Sequence, residues 1–255
     1  MEVGSIALQN ELDNLASAGR VGVISLATDF NIENDLRQLF PQNIASFTSR
    51  VRNYNPLTID NLRRMEPRIQ EVADTILPGT TLDVVIYACT SGTIAIGEQR
   101  IADLIQAHHP DTKVTNPVTA ALAALERLNI KRVSILTPYT QAVNQDVAAF
   151  FSTVGIEVLN IVGFDFEDDT AMTFISPNDI THAAIQACHP DADAVFISCT
   201  ALRATTVIHD IEAAINKPVL SSNQVLAWHT LALLHYPKNI KGFGLLLDLH
   251  LPLNL

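Results

Sequence analysis

The sequence predicts an α/β protein made of two pseudo-symmetric, doubly wound parallel-sheet domains. Short apolar segments rich in β-branched residues alternate with helical patterns along most of the chain. Two landmarks recur at nearly the same spacing: Arg132 follows Arg20 by 112 residues, and Cys199 follows Cys89 by 110. Two independent landmarks that agree this closely indicate an internal duplication. We place the first domain at residues 1–115 plus 219–255 and the second at 116–218, with the site in the cleft between them.

The first half alternates predicted strands and helices after a poorly specified lead-in. The predicted strands are 20–26, 43–51, 82–88 and the short segment 113–116. Helical spacing covers 31–39, then 58–76, and then the stripe formed by Ile94, Ile101, Leu104 and Ile105. Pro67 lies inside the second of these helical patterns, so it should kink or split that helix.

The second half repeats this order. The predicted strands are 132–137, 156–162, 194–198 and 218–220. Predicted helices begin at Pro117 and Pro177, cover the stripes 147–154 and 207–215, and end with the apolar helix 225–234. Residues 163–176 are predicted to form an acidic loop.

Composition restricts the possible partners and the compartment. The 255 residues are 48% hydrophobic with a net charge of -11 and no basic block, so nucleic acid and anionic membrane are not expected as partners. No apolar segment is long enough to span a bilayer, and the first residues lack a secretory pattern. Three cysteines argue against a disulfide framework. We therefore expect a cytoplasmic protein. No metal-binding spacing is present, so no metal site is predicted.

The two repeated cysteines are the candidate reactive groups. Cys89 ends the apolar run that begins at Asp83, and Cys199 ends the run that begins at Asp193. In a doubly wound protein, carboxyl ends of strands form the ligand site. A helix beginning after each cysteine should lower its pKa. The third, Cys188, lies on a small apolar helical face and is not expected to react.

Small polar residues follow each cysteine. Thr90, Ser91 and Thr200 offer hydroxyl groups and helix N–H groups that suit a carboxylate. Two thiols on opposite faces of a stereocentre can racemise it, one removing a proton and the other returning one. A thiolate that adds to a double bond can instead catalyse cis–trans isomerisation. Both reactions stay open at this point.

Several motifs together resemble the aspartate/glutamate racemase superfamily. Within it, the chain is similar to the branch that contains maleate cis-trans isomerase, arylmalonate decarboxylase and the ectoine-utilisation protein EutA. The motifs that carry the resemblance are Arg20-Val-Gly-Val-Ile, Ala88-Cys-Thr-Ser-Gly-Thr93, Leu136-Thr-Pro-Tyr-Thr140 with Val143-Asn144, Ser198-Cys-Thr-Ala-Leu-Arg203, and Ser221-Ser-Asn-Gln-Val-Leu-Ala-Trp228.

The resemblance implies an enzyme that needs no cofactor, acts on a small carboxylic acid, and forms a homodimer. It implies that Cys89 and Cys199 are the paired nucleophile, acid or base. Tyr139 resembles the tyrosine that binds the substrate carboxylate, and Asn144 matches a site asparagine. Decarboxylases of this branch keep only the second cysteine, so the presence of both favours racemisation or isomerisation.

Two acidic residues depart from the maleate isomerase pattern. Asp29 and Asp169 stand where those enzymes carry asparagine. A carboxylate at these positions would repel a dianion and attract a cationic nitrogen. The acidic residues here are more similar to those of EutA than to those of the maleate isomerases. We therefore expect a racemase or isomerase of an amino or imino acid in ectoine-type catabolism. The alternatives are a maleate cis-trans isomerase and, less favoured, a decarboxylase or a non-catalytic binding protein. Asp29 has a further interpretation, as an N-cap for the helix at 31–39.

Overall fold

The structure is a computed structural model, and it describes residue 1 and residues 3–249. The strands are β1 Gly19–Leu26, β2 Ile44–Val51, β3 Val84–Ala88, β4 Lys113–Thr115, β5 Arg132–Tyr139, β6 Glu157–Phe166, β7 Ala194–Ile197 and β8 Val219–Ser221. The helices are α1 Ile32–Leu39, α2 Ile59–Arg63, α3 Glu66–Asp74, α4 Thr90–Ile96, α5 Glu98–Gln106, α6 Pro117–Arg127, α7 Gln141–Thr153, α8 Asp169–Met172, α9 Pro177–Ala187, α10 Ile208–Ile215, α11 Ser222–Leu233 and α12 Leu245–Leu249.

The strands form two parallel sheets of the same topology. Their orders are β2-β1-β3-β4 and β6-β5-β7-β8, and each pair of neighbours is parallel. The predicted fold class is therefore confirmed. One detail differs from the predicted domain boundary: β8 pairs with β7 in the second sheet, although residues from 219 onward were assigned to the first domain. The domain division remains a proposal, and β8 belongs with the second half.

Two aspartates show the duplication in three dimensions. Asp83 Oδ2 accepts a hydrogen bond from the backbone N–H of Arg20 at 2.7 Å, and Asp193 Oδ2 accepts one from Arg132 at 2.9 Å. Each aspartate N–H also donates to the carbonyl of the same arginine. In both halves, this pair ties the start of the cysteine strand to the start of the strand beside it.

Three local predictions can be compared with the observed elements. Pro67 lies in the first turn of α3, which is separated from α2, so the predicted split is confirmed. The single helical stripe predicted after Cys89 is divided into α4 and α5, because Gly97 adopts φ 99° and ψ 137°. The loop predicted at 163–176 is wrong in part: β6 extends to Phe166, and Asp169–Met172 forms the short helix α8.

Helix α11 is buried and packs against elements of both halves. Eleven of its twelve residues, 222–232, are buried, and it packs against α6 and α1 as well as β3 and β8. A helix buried on all sides is expected in the centre of a protein rather than on its surface. Within residues 3–249, no helix combines the length and apolar character needed to cross a bilayer. Residues 250–255 of the apolar tail lie outside the described residues.

Candidate active site

Cys89 occupies the turn between β3 and α4. It has extended backbone angles and is the N-cap of α4, and its Sγ accepts a hydrogen bond from the N–H of Gly92 at 3.2 Å. The hydroxyl of Ser91 lies 3.9 Å from the same sulfur. The predicted helix start is present, but the sulfur itself takes the N–H group that was expected to bind a carboxylate.

Cys199 follows β7 as Cys89 follows β3, but the helix predicted to begin directly after Cys199 is wrong: a turn follows, and the next helix, α10, begins at Ile208. The backbone N–H of Cys199 donates to Ser222 Oγ at 3.0 Å, and Ser222 Oγ lies 2.9 Å from Thr90 Oγ1. Ser222, the first residue of α11, therefore connects the cysteine loop of one half to that of the other. Thr90, predicted to bind a carboxylate, is engaged by this contact.

Tyr139 lies at the end of β5 and connects the two cysteine loops. Its hydroxyl lies beside the sulfur of Cys199 and the hydroxyl of Ser91, as hydrogen-bonding partners whose donor is not fixed. Since Ser91 also lies beside Cys89, one line of polar groups joins the two sulfurs across the halves. Burial first, and then the two cysteines, raise the pKa of Tyr139 well above its usual value, so this phenol keeps its proton.

Asn144 holds the segment that carries Tyr139. Its Oδ1 accepts from Thr137 Oγ1 at 2.6 Å, and its Nδ2 donates to the Tyr139 carbonyl at 3.4 Å. The oxygen and the nitrogen of its amide thus both contact residues of β5. Asn144 therefore positions the backbone of Tyr139 rather than its hydroxyl.

Asp29 contacts both the start of α1 and the second half of the chain. Its Oδ1 accepts from the N–H groups of Asn31 and Ile32 at 2.7 and 2.9 Å, and its Oδ2 accepts from the hydroxyl of Thr200 at 3.0 Å. The N-cap of α1 is Asn31, so the N-cap interpretation of Asp29 is wrong in position, although its carboxylate accepts from the first N–H groups of the helix. Both carboxyl oxygens have protein partners, and Arg50 donates to the backbone carbonyl of the same residue at 2.7 Å. Asp29 and Thr200 are therefore positioned by each other.

Asp169 begins α8 and lies between two loops. Its Oδ2 accepts from the hydroxyl of Thr28 and from Asn53 Nδ2, the latter at 3.2 Å, and its N–H donates to Asn55 Oδ1 at 3.1 Å. All three partners come from the first half, so the acidic segment of the second half is held over the site. Burial raises the pKa of Asp169.

The pKa predicted for Cys89 is wrong. Burial raises it to about 12, and the negative charge of Asp169 adds to the rise. The N–H of Gly92 and the hydroxyl of Ser91 oppose the rise but do not cancel it. A thiol buried to 4% exposure loses the solvation that would stabilise its charged form, and one short helix does not replace that solvation.

The same correction applies to Cys199. Burial raises its pKa, Asp169 adds to the rise, and the hydroxyl of Tyr139 opposes it. Asp169 is thus the acidic residue with the largest effect on both thiols. Both cysteines therefore keep their protons near neutral pH, chiefly because they are buried.

The nine residues predicted from the sequence lie in a closed region of the molecule. None is more than 6% exposed. They are Asp29, Cys89, Thr90, Ser91, Tyr139, Asn144, Asp169, Cys199 and Thr200. Within the described part of the chain, no group of three metal-binding side chains is close enough to hold an ion.

Sequence reasoning missed a second layer of polar residues beneath the site. Asp35 Oδ2 accepts from Asn31 Nδ2 at 3.0 Å, Thr205 Oγ1 at 2.7 Å and Asn223 Nδ2 at 2.7 Å. Asn31 and Asn223 also donate to the carbonyl of Thr200. The loop after Cys199 is thus held by residues far away in sequence, and only the polar run at the start of α11 gave a signal of it.

Comparisons with known proteins agree with this architecture. Residues 21–247 match the family model described as arylmalonate decarboxylase. A maleate isomerase of Alcaligenes faecalis is 24% identical over 221 residues, which is 80% of this chain and 86% of the relative.

Two solved structures share the fold. The maleate isomerase Iso of Pseudomonas putida, determined with maleate, superposes with a TM-score of 0.83 at 24% identity, over 90% of this chain and 97% of that one. The Nocardia farcinica maleate cis-trans isomerase, a serine variant with a covalently bound succinylcysteine intermediate, gives 0.82 at 20% identity, over 90% and 98%. The narrower likeness to EutA stays a prediction. Since the family model spans nearly the whole chain, this protein belongs to the arylmalonate decarboxylase family.

Proposed function

We propose that this protein is an isomerase in which Cys89 and Cys199 act as a proton-transferring pair on a small amino or imino carboxylic acid. The observation that carries the proposal is the line of contacts from Cys89 through Ser91 and Tyr139 to Cys199. It joins two thiols that come from opposite halves of a duplicated fold. A substrate bound between these halves would present one face to each sulfur.

In this reaction, one sulfur acts as a thiolate and the other as a thiol. The thiolate of Cys89 removes the proton from the α-carbon, and the thiol of Cys199 delivers its own proton to the opposite face. The two cysteines exchange protonation states, and the reverse reaction starts from the other enantiomer. In this proposal, the hydroxyl groups of Ser91 and Tyr139 stabilise the charge that develops on the substrate carboxylate.

Asp169 supports a substrate with a cationic nitrogen. Its charge raises the pKa of both thiols, so an ammonium or iminium group beside it would cancel that effect and favour formation of the thiolate. A dianion would instead be repelled, by about 1–4 kcal/mol at 4 Å in partly solvated surroundings. The ectoine-type substrate expected from the sequence stays a prediction within this class.

Isotope exchange in deuterated water tests the proposal. Single enantiomers of small amino and imino acids are incubated with the protein, and α-deuterium is measured by mass spectrometry. We expect deuterium to appear in the product enantiomer. Cys89→Ser and Cys199→Ser should each abolish racemisation, whereas Cys188→Ser, outside the site, should leave it intact. Racemisation that survives either of the first two substitutions would contradict the two-thiol mechanism.

Maleate-type cis–trans isomerisation is the second candidate, favoured by the relatives that carry that name and by the covalent cysteine adduct in one of them. Here the thiolate of Cys89 would add to one alkene carbon while Cys199 protonates the other. After rotation, Cys199 would remove that proton and the sulfur would leave. Formation of fumarate from maleate, with no α-deuterium in any amino acid, would favour this candidate.

The raised thiol pKa values affect the test for a non-catalytic binding protein. A non-catalytic binding protein is expected to show slow alkylation of both cysteines, and an active site whose thiols are buried predicts the same result. Alkylation of the protein alone therefore does not separate the two. Turnover, or alkylation that candidate substrates change, does separate them.

A further inference from the structure

Tyr87 has a buried hydroxyl with no hydrogen-bond partner. It lies on β3 two residues before Cys89, and residues at this spacing on a strand point to the same face. Its side chain is fully buried, and its oxygen is among the buried polar atoms that lack a partner. A polar group buried in this way is unfavourable and therefore requires an explanation.

Gly92 shows where this hydroxyl lies. A Cβ built on Gly92 would be 2.7 Å from Tyr87 Oη and 2.8 Å from Cys89 Sγ. The hydroxyl and the sulfur thus border the same small space, which stays open because residue 92 has no side chain. Any larger residue would collide with both the phenol and the sulfur, and with Met65 Cε at 3.0 Å.

The second half shows that packing does not require a phenol at this position. The residue two places before Cys199 is Ile197, which is also fully buried on its strand. An aliphatic side chain is therefore sufficient to fill the equivalent place in the duplicated fold. Cys199 has the hydroxyl of Tyr139 beside it instead.

We propose that Tyr87 is a thiolate-binding residue, whose hydroxyl donates a hydrogen bond to the sulfur of Cys89 once that sulfur has lost its proton. The proposal rests on the proposed function in that Cys89 must ionise to react. A neutral thiol is a weak acceptor, whereas a thiolate accepts strongly, so the bond forms only in the charged state. Tyr87 transfers no proton: the thiol proton goes to water in the free protein, and the phenol keeps its own. Burial raises the pKa of Tyr87 well above its usual value, which keeps it a donor.

The test measures Cys89 by itself. In a Cys188→Ser, Cys199→Ser background, Cys89 is the remaining cysteine of the chain. Its alkylation by iodoacetamide is followed by intact mass at one mildly alkaline pH, where the rate is proportional to the fraction of thiolate. Tyr87→Phe should slow alkylation about tenfold, equivalent to a rise of about one pKa unit. Tyr236→Phe, a half-buried tyrosine outside the site, is the control and should leave the rate unchanged.

A second variant keeps the hydroxyl and does not depend on how Tyr87→Phe folds. Site-specific 3-fluorotyrosine at position 87 makes the phenol a stronger donor, so alkylation should become faster. An unchanged rate in both variants, with a higher melting temperature for Tyr87→Phe, would overturn the proposal and leave Tyr87 as an unpaired core residue. The alkylation rates determine the role of Tyr87 even if the protein turns over no amino acid. Failure of the proposed function would appear only in the turnover measurements.

Discussion

At the scale of single residues, Asp169 is the side chain with the most influence on the chemistry of both thiols. It adds to the rise in the pKa of Cys89 and of Cys199, and its own pKa is raised by burial. An asparagine at this position would keep the amide oxygen for Thr28 and Asn53 while removing the charge. The negative charge is therefore the property by which aspartate differs from asparagine at this position.

We predict that Asp169→Asn lowers the pKa of both thiols. Alkylation of Cys89 and Cys199 at a fixed pH should rise about tenfold for each pKa unit lost. Turnover of an amino acid substrate should fall, because the partner of its cationic nitrogen is gone, and any turnover of maleate should rise. Steady-state kinetics and alkylation rates measure these changes.

Asp165→Asn is the matched control for this prediction. Asp165 lies in the same acidic segment but is exposed, and its φ of 60° is one that asparagine tolerates. It should leave both thiols unchanged. An equal effect from the two substitutions would mean that only the overall charge of the segment matters.

At the scale of elements, the break between α4 and α5 is determined by Gly97. The apolar stripe from Ile94 to Ile105 predicts one continuous helix, yet the chain turns at Gly97 with φ 99°. No neighbouring atom lies within 4 Å of a Cβ built there, so backbone conformation alone requires glycine. Since Cys89 is the N-cap of α4, the break limits this helix to the seven residues that follow Cys89.

We predict that Gly97→Ala lowers the free energy of unfolding by about 1–3 kcal/mol, because an L-residue is strained in this region. Denaturant unfolding measures the change. Gly4→Ala is the control, since a Cβ there also meets nothing within 4 Å but its φ is not in the left-handed region. Equal stability of the Gly97→Ala variant and the unaltered protein would contradict the requirement for glycine at the break between α4 and α5.

At the scale of the whole molecule, buried carboxyl groups link the two halves. Asp35 on α1 accepts from Thr205 in the second half and from Asn223 on α11. Burial raises the pKa of Asp35, and the nearby charge of Asp29 adds to the rise, while the three hydrogen bonds oppose it. The ionised form is therefore less favourable in the folded protein than in the unfolded chain.

This raised pKa predicts a pH dependence of stability. The carboxyl stabilises the fold below its unfolded value of 3.8, where it is protonated, and this contribution is lost as pH rises through the folded pKa. Asp35→Asn keeps a neutral acceptor for the same donors. Its melting temperature relative to the unaltered protein should therefore rise with pH, by the equivalent of about 1.4 kcal/mol for each unit of pKa rise.

The control for this effect is Asp60→Asn, whose side chain is 95% exposed and should show no such trend. Melting temperatures of both variants are measured across the acidic range. A difference between Asp35→Asn and the unaltered protein that stays constant with pH would show that the carboxyl does not change its charge on unfolding. The homodimer and the cytoplasmic location expected from the sequence stay predictions.

Local patterns predicted the elements well where local forces determine them. The β-branched runs before Cys89 and Cys199 form the predicted strands, and Pro117 and Pro177 begin helices because a proline needs no N–H partner in the first turn. Residues 163–176 were predicted less well. There, β6 gains residues from pairing with β5, and contacts with the first half hold α8, neither of which a local pattern contains.

The sequence by itself determined the duplicated fold and the pair of cysteines, because the spacing of the repeat and the order of strand, cysteine and helix are local properties of the chain. Only the tertiary structure decided the charge state of the thiols, the partners of Asp29 and the placement of Tyr87 beside Cys89. The physical reason is burial. Desolvation raises the pKa of Cys89, and hydrogen-bond partners such as Thr200 for Asp29 come from the opposite half.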